Sequence, residues 1–282
     1  MIMKKNYKRN EKLASTFDLV AKDFESIGPK YFTHFGHKLV EESGLKEGQD
    51  VLDIACGRGA SLFKSSELKG LKGRLVGVDF SKEMIKNIRE TASEKEIEDL
   101  EAYQMDAEKL LFDAETFDCV YCGLSMHFFS SPRLSLEEMY RVLKENGKVA
   151  ISTWGIKKES GKKGVYERAY EKIFSKRATK GKSREIDLSS VEGLKTFLTS
   201  VRFMDVRVVV ESKNFYYKSK EEWWTEQSNN ATRGFFERIQ TDHPDLFMAF
   251  KKACFDEVEK EMVEGRIKFE ATVLYGYGIK SF

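Results

Sequence analysis

The stretch Val51-Leu52-Asp53-Ile54-Ala55-Cys56-Gly57-Arg58-Gly59-Ala60 decides the fold of this chain. It begins with a compact apolar run, which is typical of a parallel β-strand covered on both faces. The glycines that follow permit positive φ angles and a close approach of a ligand to the backbone. We therefore predict a buried strand, a glycine-rich turn and a helix over about residues 58–68, whose N-terminal N–H groups suit a carboxylate or a phosphate.

Asp53 and Leu62 indicate which ligand the turn binds. A dinucleotide-binding turn has the pattern Gly-x-Gly-x-x-Gly, and Leu62 stands where the third glycine is expected. The carboxylate of Asp53 would repel a pyrophosphate, but it suits a ligand with an ammonium group beside a carboxylate, as in the tail of an amino acid. No Gly-Lys-Ser or Gly-Lys-Thr follows the turn, so a P-loop is excluded.

A second predicted strand ends at Asp79, about twenty residues beyond Gly59. In a βαβ unit, a carboxylate at this interval reaches the hydroxyl groups of a ribose. Ser81 is a suitable N-cap for the helix that follows. Phe80 and Met84 are candidates to flank an adenine ring, and packing in the core explains them equally well.

Four segments in order resemble one protein family. Segment 53–59 resembles the first motif of class I S-adenosylmethionine-dependent methyltransferases. Segments 74–81 (Arg-Leu-Val-Gly-Val-Asp-Phe-Ser), 103–110 (Tyr-Gln-Met-Asp-Ala-Glu-Lys-Leu) and 141–149 (Arg-Val-Leu-Lys-Glu-Asn-Gly-Lys-Val) resemble its later motifs. Because all four occur in the family's order, coincidence is implausible, and the chain is identified as a member of this family.

The resemblance and the pattern of strands and helices together imply an α/β fold. We expect a Rossmann-like, doubly wound, seven-stranded and mostly parallel sheet with an antiparallel last strand, plus a helical cap. Residues 1–282 would form a single methyltransferase domain with a cofactor-binding core at 49–154. An N-terminal helical lid would span 1–48, and cap insertions would span 155–187 and 218–264. The implied cofactor is S-adenosylmethionine, released as S-adenosylhomocysteine, without a metal.

The resemblance also implies which residues contact the cofactor. Asp106 would accept a hydrogen bond from the adenine amino group, and the Ala107 N–H would meet a ring nitrogen. Tyr31 belongs to the N-terminal segment that covers the cofactor in this family, and plain core packing is the alternative for its ring. Gly123 and Leu124 follow the fourth strand, at the edge where ligands of open α/β sheets bind. The predicted cofactor contacts are Tyr31, Asp53, Ala55, Cys56, Gly57, Gly59, Asp79, Phe80, Met84, Asp106, Ala107, Gly123 and Leu124.

His127 is the candidate catalytic residue, because it lies just past the fourth strand at the expected methyl end of the pocket. A base that removes a proton from the acceptor adds roughly 10²–10⁴-fold to a rate. A histidine packed beside Phe128 and Phe129 is the equal alternative. An amine acceptor needs no strong base, and Glu222 or Glu226 would then hold its charge. The predicted acceptor contacts, which suit a flat aromatic or apolar molecule, are Phe32, Trp154, Tyr217, Trp223, Trp224 and Arg233.

Composition describes a globular protein of 282 residues, of which 41% are hydrophobic and 33% are charged. The net charge of +2 gives no overall field that favours nucleic acid or a membrane surface. No run of about eighteen apolar residues occurs. We therefore expect a cytoplasmic protein with no membrane partner.

Two pairs of residues have the spacing of metal ligands. Cys119 and Cys122 lie on a predicted strand, where residues three apart point to opposite faces and can neither chelate a metal nor form a disulfide. His34 and His37 are one helical turn apart, but no third ligand accompanies them. We predict no metal site.

Three functions are compatible with these motifs. The first is methyl transfer to an O, N or C atom of a small molecule, such as a natural product or an aromatic metabolite. The second is methylation of RNA or of a peptide or protein, which predicts an open basic face; the basic segment 157–185 is more consistent with a solvated helical cap. The third is a non-catalytic S-adenosylmethionine-binding module. The sequence leaves the oligomeric state, monomer or homodimer, open.

Overall fold

The computed structural model describes residues 2–69, 73–155, 164–174 and 187–281, apart from the side chains of residues 2–10 and 69. Within these ranges the chain forms one β-sheet with helices packed on it. The strands are β1 (Val51–Ile54), β2 (Leu75–Asp79), β3 (Leu100–Gln104), β4 (Phe117–Gly123), β5 (Leu143–Trp154), β6 (Phe203–Tyr217), β7 (Met262–Val263) and β8 (Arg266–Lys280).

The order of the strands across the sheet is β3-β2-β1-β4-β5-β8-β6, and the short β7 pairs with β8 beside this path. The first five strands are parallel to one another. β8 is antiparallel to both β5 and β6. The predicted doubly wound, mostly parallel sheet with an antiparallel last strand is confirmed. The chain reverses its direction of winding between β1 and β4, and ligands of such sheets bind at the carboxyl ends of the strands at this point.

The helices are α1 (Ile2–Val20), α2 (Tyr31–Glu41), α3 (Ala60–Lys69), α4 (Lys82–Glu94), α5 (Pro132–Val142), α6 (Val165–Phe174), α7 (Val191–Thr199), α8 (Lys220–Ser228), α9 (Arg233–Asp242) and α10 (Pro244–Val258). None of these helices combines the length and the apolar character that crossing a membrane requires. Of the basic segment 157–185, only residues 164–174 fall within the described ranges, and they contain α6.

The glycine-rich turn is longer than the sequence pattern predicts. α3 begins at Ala60 and not at Arg58. The reason is conformational: Gly57 has φ +52° and Gly59 has φ +83°, which are left-handed values outside the α-helical region. The turn therefore includes Arg58 and leaves it outside the helix.

Alternate residues of the central strands pack on opposite sides of the sheet. Cys119 packs in the cluster that contains Leu39 of α2, whereas Cys122 packs in the cluster that contains Met139 of α5. Both thiols are buried and free. Their predicted positions on the two faces of one strand are confirmed.

Leu62 replaces the third glycine of a dinucleotide-binding turn, and the structure shows how α3 still packs closely on the sheet. The Leu62 side chain is fully buried and lies over Gly77 of β2. A Cβ atom at Gly77 would come within 2.8 Å of Leu62 Cδ2. The close approach of helix and strand therefore depends on a glycine in the strand.

A charged cluster joins the strands at the end of the sheet opposite the glycine turn. Lys144 Nζ donates to Asp50 Oδ2 at 2.8 Å and to Asp118 Oδ2 at 2.9 Å. Asp50 also accepts the Arg74 N–H at 2.8 Å. Although partial burial acts to raise the pKa of Asp50, the Lys144 ammonium and the Arg74 N–H together lower it. The cluster thus ties the starts of β1, β2, β4 and β5 to one another.

We predict that Lys144→Met lowers the free energy of unfolding by about 1 kcal/mol at pH 7, because partly exposed ion pairs contribute up to about that amount. A carboxylate whose pKa is lowered by folding stabilises the protein above its unfolded pKa, near 4, and loses this effect as the pH falls below it. The difference between the variant and the wild type should therefore shrink between pH 7 and pH 3.5 in urea unfolding.

Lys86→Met is the matched control, since Lys86 forms an exposed pair with Glu90 one helical turn away. It should change stability by less than about 0.5 kcal/mol at either pH. A Lys144→Met loss no larger than that of the control, or one that is equal at both pH values, would contradict the assigned role of the cluster.

Candidate functional site

A cavity of about 1040 Å³ lies at the carboxyl ends of β1, β2, β4 and β5. Asp53, Asp79, Gly123 and Trp154, one from the end of each strand, contribute to its wall. Sites for one small molecule typically measure about 300–1,000 Å³. The volume therefore leaves room for a nucleoside cofactor and an acceptor side by side.

Most of the predicted site residues meet in this cavity. They come from the ends of five strands, from α2, from the start of α4 and from the loop after β4. The predicted residues that line it are Tyr31, Phe32, Asp53, Ala55, Cys56, Gly57, Gly59, Asp79, Phe80, Met84, Asp106, Ala107, Gly123, Leu124, His127 and Trp154.

The structure places the other four predicted acceptor contacts outside the cavity wall; they are Tyr217, Trp223, Trp224 and Arg233. Both indoles instead pack against aromatic rings of other helices. Trp223 stacks on Tyr166 with ring centroids 5.5 Å apart, and Trp224 stacks on Phe236 at 4.4 Å. Arg233 pairs with an acidic residue one helical turn away. These four side chains therefore do not form part of the cavity wall that an acceptor would contact.

The glycine turn presents bare backbone to the cavity. Ala55, Gly57 and Gly59 all have positive φ, which bends the chain sharply after β1. A Cβ atom at Gly57 would have no protein atom within 4 Å, so this position faces open space. A Cβ atom at Gly59 would lie 2.6 Å from the Phe63 ring and 2.7 Å from Ile88. Gly57 thus allows the approach of a ligand, whereas Gly59 allows internal packing.

Asp79 links the glycine turn to the end of β2. Its Oδ2 accepts the Gly57 N–H at 2.9 Å, and its Oδ1 accepts the Ser81 N–H at 2.8 Å. Burial raises the pKa of Asp79, and the two N–H bonds act in the opposite direction. Each oxygen is fixed by one donor and keeps a further lone pair. Such a carboxylate can accept two hydroxyl groups from a diol.

Asp53 is a buried carboxylate that needs a donor. Only 2% of the residue is exposed. Its Oδ2 has no hydrogen-bond partner within the described part of the chain. Burial, together with the nearby Asp79 carboxylate, raises the pKa of Asp53 well above its usual range. A buried charge without a partner is costly, so a cationic group from a ligand would be strongly favoured here.

The loop after β3 forms the side of the cavity next to Asp79. The Met105 N–H donates to the Asp79 backbone carbonyl at 2.9 Å, which continues the pairing of β2 and β3. Asp106 Oδ1 accepts the Glu108 N–H at 2.9 Å. Met84 and Phe80 line the cavity on the neighbouring turn. These residues enclose a slot between a thioether, an aromatic ring and a carboxylate, as a purine ring requires.

His127 lies in the loop after β4, on the wall of the cavity. Its ring centroid is 3.9 Å from that of Phe128. Phe128 in turn packs edge-to-face on Phe17 of α1 at 5.3 Å. The start of this loop is fixed by Leu124, which has φ +51° and donates its N–H to Ser152. The imidazole therefore both faces the cavity and packs against an aromatic neighbour.

The N-terminal helices are attached to the glycine turn by Arg58, a role that no pattern in the sequence signals. Arg58 Nη1 donates to the backbone carbonyls of Lys22 and Phe24 at 3.1 and 3.0 Å. Asp18 of α1 accepts hydrogen bonds from Ser81 Oγ and from the Glu83 N–H. α1 is thus held over the cavity at two points beside the predicted cofactor site.

Sequence reasoning missed a polar and aromatic wall at the other end of the cavity. Its residues come from α6, from the corner between α8 and α9, and from β8; they are Tyr166, Tyr170, Gln227, Asn230, Thr232, Phe235 and Phe269. In the sequence, Gln227, Asn230 and Thr232 follow closely on Glu226, a candidate to hold positive charge, whereas the other four residues carry no such signal. Contacts between segments distant in sequence bring these residues together.

Comparison with known proteins agrees with this geometry. A family model described as a methyltransferase domain matches residues 45–227. Aklanonic acid methyltransferase DauC of Streptomyces sp. (strain C5) is 32% identical over 148 residues, which cover 52% of this chain and 66% of DauC. The ubiquinone/menaquinone biosynthesis C-methyltransferase UbiE of Escherichia coli is 35% identical over 146 residues, which cover 48% of this chain and 58% of UbiE. The chain thus spans less than two thirds of the length of these relatives.

A solved structure shares the fold. The YcgJ protein from Bacillus subtilis superposes with a TM-score of 0.61 at 19% sequence identity, covering 88% of this chain and 99% of YcgJ. The family match covers more than half of the chain and includes the glycine turn, both strand-end carboxylates and the loop after β4. The chain therefore belongs to the methyltransferase-domain family and, by its ordered motifs, to the class I S-adenosylmethionine-dependent methyltransferases.

Proposed function

We propose that this chain transfers a methyl group from S-adenosylmethionine to an O, N or C atom of a small molecule, such as a natural product or an aromatic metabolite. The carrying observation is the buried Asp53 oxygen without a donor, beside the two fixed oxygens of Asp79. An ammonium group and a ribose diol would satisfy these atoms, and S-adenosylmethionine carries both. The names of DauC and UbiE, an aklanonic acid methyltransferase and a quinone-biosynthesis C-methyltransferase, support a small-molecule acceptor.

The remaining contacts follow from the shape of the turn. Gly57 and the N-terminus of α3 suit the carboxylate of the same ligand, because backbone N–H groups and the helix dipole favour negative charge there. Asp106 and Ala107 would hold the adenine edge between Phe80 and Met84. The ligand would then lie along the ends of β1, β2 and β3, with its reactive end towards the loop after β4.

The chemistry requires alignment above all. S-adenosylmethionine supplies a sulfonium methyl group that is already electrophilic. The protein has to hold the acceptor atom in line with that methyl group, and orientation of this kind is worth about 7–11 kcal/mol. We propose that His127, on the cavity wall, takes a proton from an acceptor hydroxyl, which would add roughly 10²–10⁴-fold to the rate. An amine attacks through its lone pair and needs no such base.

The concave shape of the cavity, which is partly open to solvent, favours a small acceptor over RNA or protein. Its acceptor end is lined by the rings of Phe32, Trp154, Phe235 and Phe269. In the described part of the basic segment, Arg168 pairs with Glu257, and Lys172, one helical turn further along α6, pairs with Asp256 of α10. These pairings support a structural role for those cations. We further propose that α1 and α2 act as a lid that excludes water, with Asp18 fixing α1 and Arg58 fixing the turn between the two helices.

The proposal predicts that the purified chain binds S-adenosylmethionine in calorimetry and methylates a small molecule. A panel of amines, phenols, enols and quinol-type metabolites would be incubated with the protein and the cofactor, and products would be detected by a mass increase of one methyl group. Unfractionated tRNA and a peptide mixture are the matched alternatives. Methylation of tRNA or peptide alone would refute the small-molecule acceptor, and a cofactor binder that methylates nothing would be a non-catalytic module.

We predict that Asp53→Asn stabilises the free protein and weakens cofactor binding. The folded pKa of Asp53 lies above its unfolded value, so ionisation opposes folding as the pH rises above about 4. Removing the charge should raise the Tm at pH 7, by about 2–4 °C per kcal/mol in a chain of this size. Loss of a charge-assisted bond to the ammonium group, about 1.5–3 kcal/mol, should weaken the Kd for S-adenosylmethionine roughly ten- to a hundredfold.

The control for this variant is Asp113→Asn, since Asp113 is exposed and lies outside the cavity lining. It should leave both Tm and Kd unchanged. A lower Tm for Asp53→Asn, or an unchanged Kd, would argue that the orphaned oxygen is not the ammonium site.

We predict that alanine at the two glycines of the turn affects different quantities, mainly cofactor affinity at Gly57 and mainly thermal stability at Gly59. Gly57→Ala adds a methyl group that faces the cavity, in a conformation that Ala55 already adopts at φ +54°. It should weaken cofactor binding and lower the Tm only slightly, since a left-handed residue costs about 1–2 kcal/mol. Gly59→Ala collides with Phe63 and Ile88 and should mainly lower the Tm. Calorimetry and thermal melts measure both quantities, and equal effects of the two variants on Kd would contradict this orientation of the turn.

A further inference from the structure

Glu226 of α8 is a buried carboxylate held only by neutral donors. It is 2% exposed. It accepts hydrogen bonds from the Tyr31 hydroxyl at 3.0 Å, the Tyr217 hydroxyl at 3.1 Å, Asn230 Nδ2 at 3.0 Å and Gln227 Nε2 at 2.5 Å. Among the residues with described side chains, no lysine, arginine or histidine lies within ion-pair distance of it. Its charge is therefore solvated by the protein but not neutralised.

Most donors of this cluster point at the carboxylate, and Asn230 Nδ2 also donates to the Tyr31 hydroxyl oxygen at 3.3 Å. Tyr31 gives its proton to Glu226, and Gln227 gives an amide proton to the same group. Gln227 then presents its Oε1 to the Tyr166 hydroxyl, which donates to it at 2.6 Å. Tyr31, Tyr166 and Gln227 line the cavity. With their protons used within the cluster, the Tyr31 and Tyr166 hydroxyls can interact with a ligand only through their oxygens, as acceptors.

Aromatic faces surround the same end of the cavity. The Tyr31 ring lies 4.6 Å from Phe32, 5.3 Å from Phe269 and 6.0 Å from Trp154, measured between ring centroids. All four residues line the cavity. The faces of aromatic rings attract cations, by about 0.5–1 kcal/mol when exposed and about 2 kcal/mol when desolvated. Acceptor oxygens, a carboxylate behind them and aromatic faces all favour positive charge.

The direction in which charge moves during methyl transfer decides between acceptor classes. When an amine is methylated, its ammonium form first loses a proton to water; the nitrogen lone pair then forms the new N–C bond, the S–C bond breaks and the electron pair of that bond stays on sulfur. The positive charge thus passes from sulfur to nitrogen, and the methylated ammonium afterwards releases a proton to water. A phenol or an enol must instead lose its proton to become nucleophilic, and the resulting anion would be repelled by Glu226.

From this arrangement we infer that the acceptor is a small amine, with its nitrogen held against the wall formed by Tyr31, Tyr166 and Gln227 and its developing charge stabilised by Glu226. The inference rests on the proposed function and names the substrate class of the same site. Glu226 acts through the wall and is a positioning residue, since it does not itself line the cavity.

Binding of an unreactive cation tests this inference apart from turnover. With the protein saturated by S-adenosylhomocysteine, calorimetry would compare phenyltrimethylammonium with tert-butylbenzene, its uncharged isostere. We expect the cation to bind at least about tenfold more tightly. Glu226→Gln should reduce this preference to less than about threefold while leaving the affinity for S-adenosylhomocysteine unchanged, since Glu226 itself does not line the cavity.

Tyr166→Phe gives a second test should Glu226→Gln fail to fold, because it keeps the ring and removes one oxygen that faces the cavity. It should also reduce the preference for the cation, whereas Tyr216→Phe, an exposed neighbour on β6, should not. Phenethylamine and 2-phenylethanol provide the matched reactive pair. Equal binding of cation and isostere, or methylation of phenols but not of amines, would overturn the amine assignment alone. Absence of any S-adenosylhomocysteine binding would instead refute the proposed function.

Discussion

The constraint on which the rest of the structure depends is the pair of carboxylates that are largely shielded from water at the ends of β1 and β2. Asp53 and Asp79 lie on neighbouring strands; burial raises the pKa of both, and the Asp79 carboxylate raises the pKa of Asp53 further. Backbone N–H groups from the glycine turn and from Ser81 satisfy Asp79, but one oxygen of Asp53 remains without a donor. The fold therefore carries an electrostatic cost at this point, which a cationic ligand would offset. A neutral residue in place of Asp53 would make the sheet more stable but less suited to that ligand.

The same physical logic applies at the opposite end of the cavity, with a different solution. Glu226 is as buried as Asp53, yet four neutral donors satisfy it. The unsatisfied carboxylate is suited to bind a cation directly, whereas the satisfied one contributes a field through the side chains in front of it. In the proposed reaction these two groups flank the path along which positive charge moves from sulfur to the acceptor. With a buried carboxylate towards each end, the cavity favours that movement over the formation of an anion, although Arg58 and Lys95 also contribute to its wall.

Sequence patterns predicted the parallel part of the sheet because its determinants are local. β1, β2 and β4 are short, mostly buried runs whose C-terminal ends carry Asp53, Asp79 and Gly123, and burial on both faces leaves little choice of register. The length of β6 was harder: the apolar pattern predicts only residues 206–210, but the strand extends to Tyr217. Its second half is polar on one face and is ordered by pairing with β8, where Phe215 lies opposite Phe269. Long-range pairing of this kind leaves no local signal.

The acceptor side shows why residue type alone does not assign a site. The two indoles of α8 are the obvious candidates to bind a flat molecule, but aromatic packing has little directional preference, and neighbouring rings of α6 and α9 take them into the cap. A buried carboxylate is more demanding, because it needs several donors at fixed positions and a dry environment. Once Glu226 is buried, Tyr31 and Gln227 must turn their protons towards it, and their orientation determines what the cavity can recognise. In the proposed reaction, Glu226, and not the two indoles of the same helix, therefore sets the chemistry of the acceptor wall.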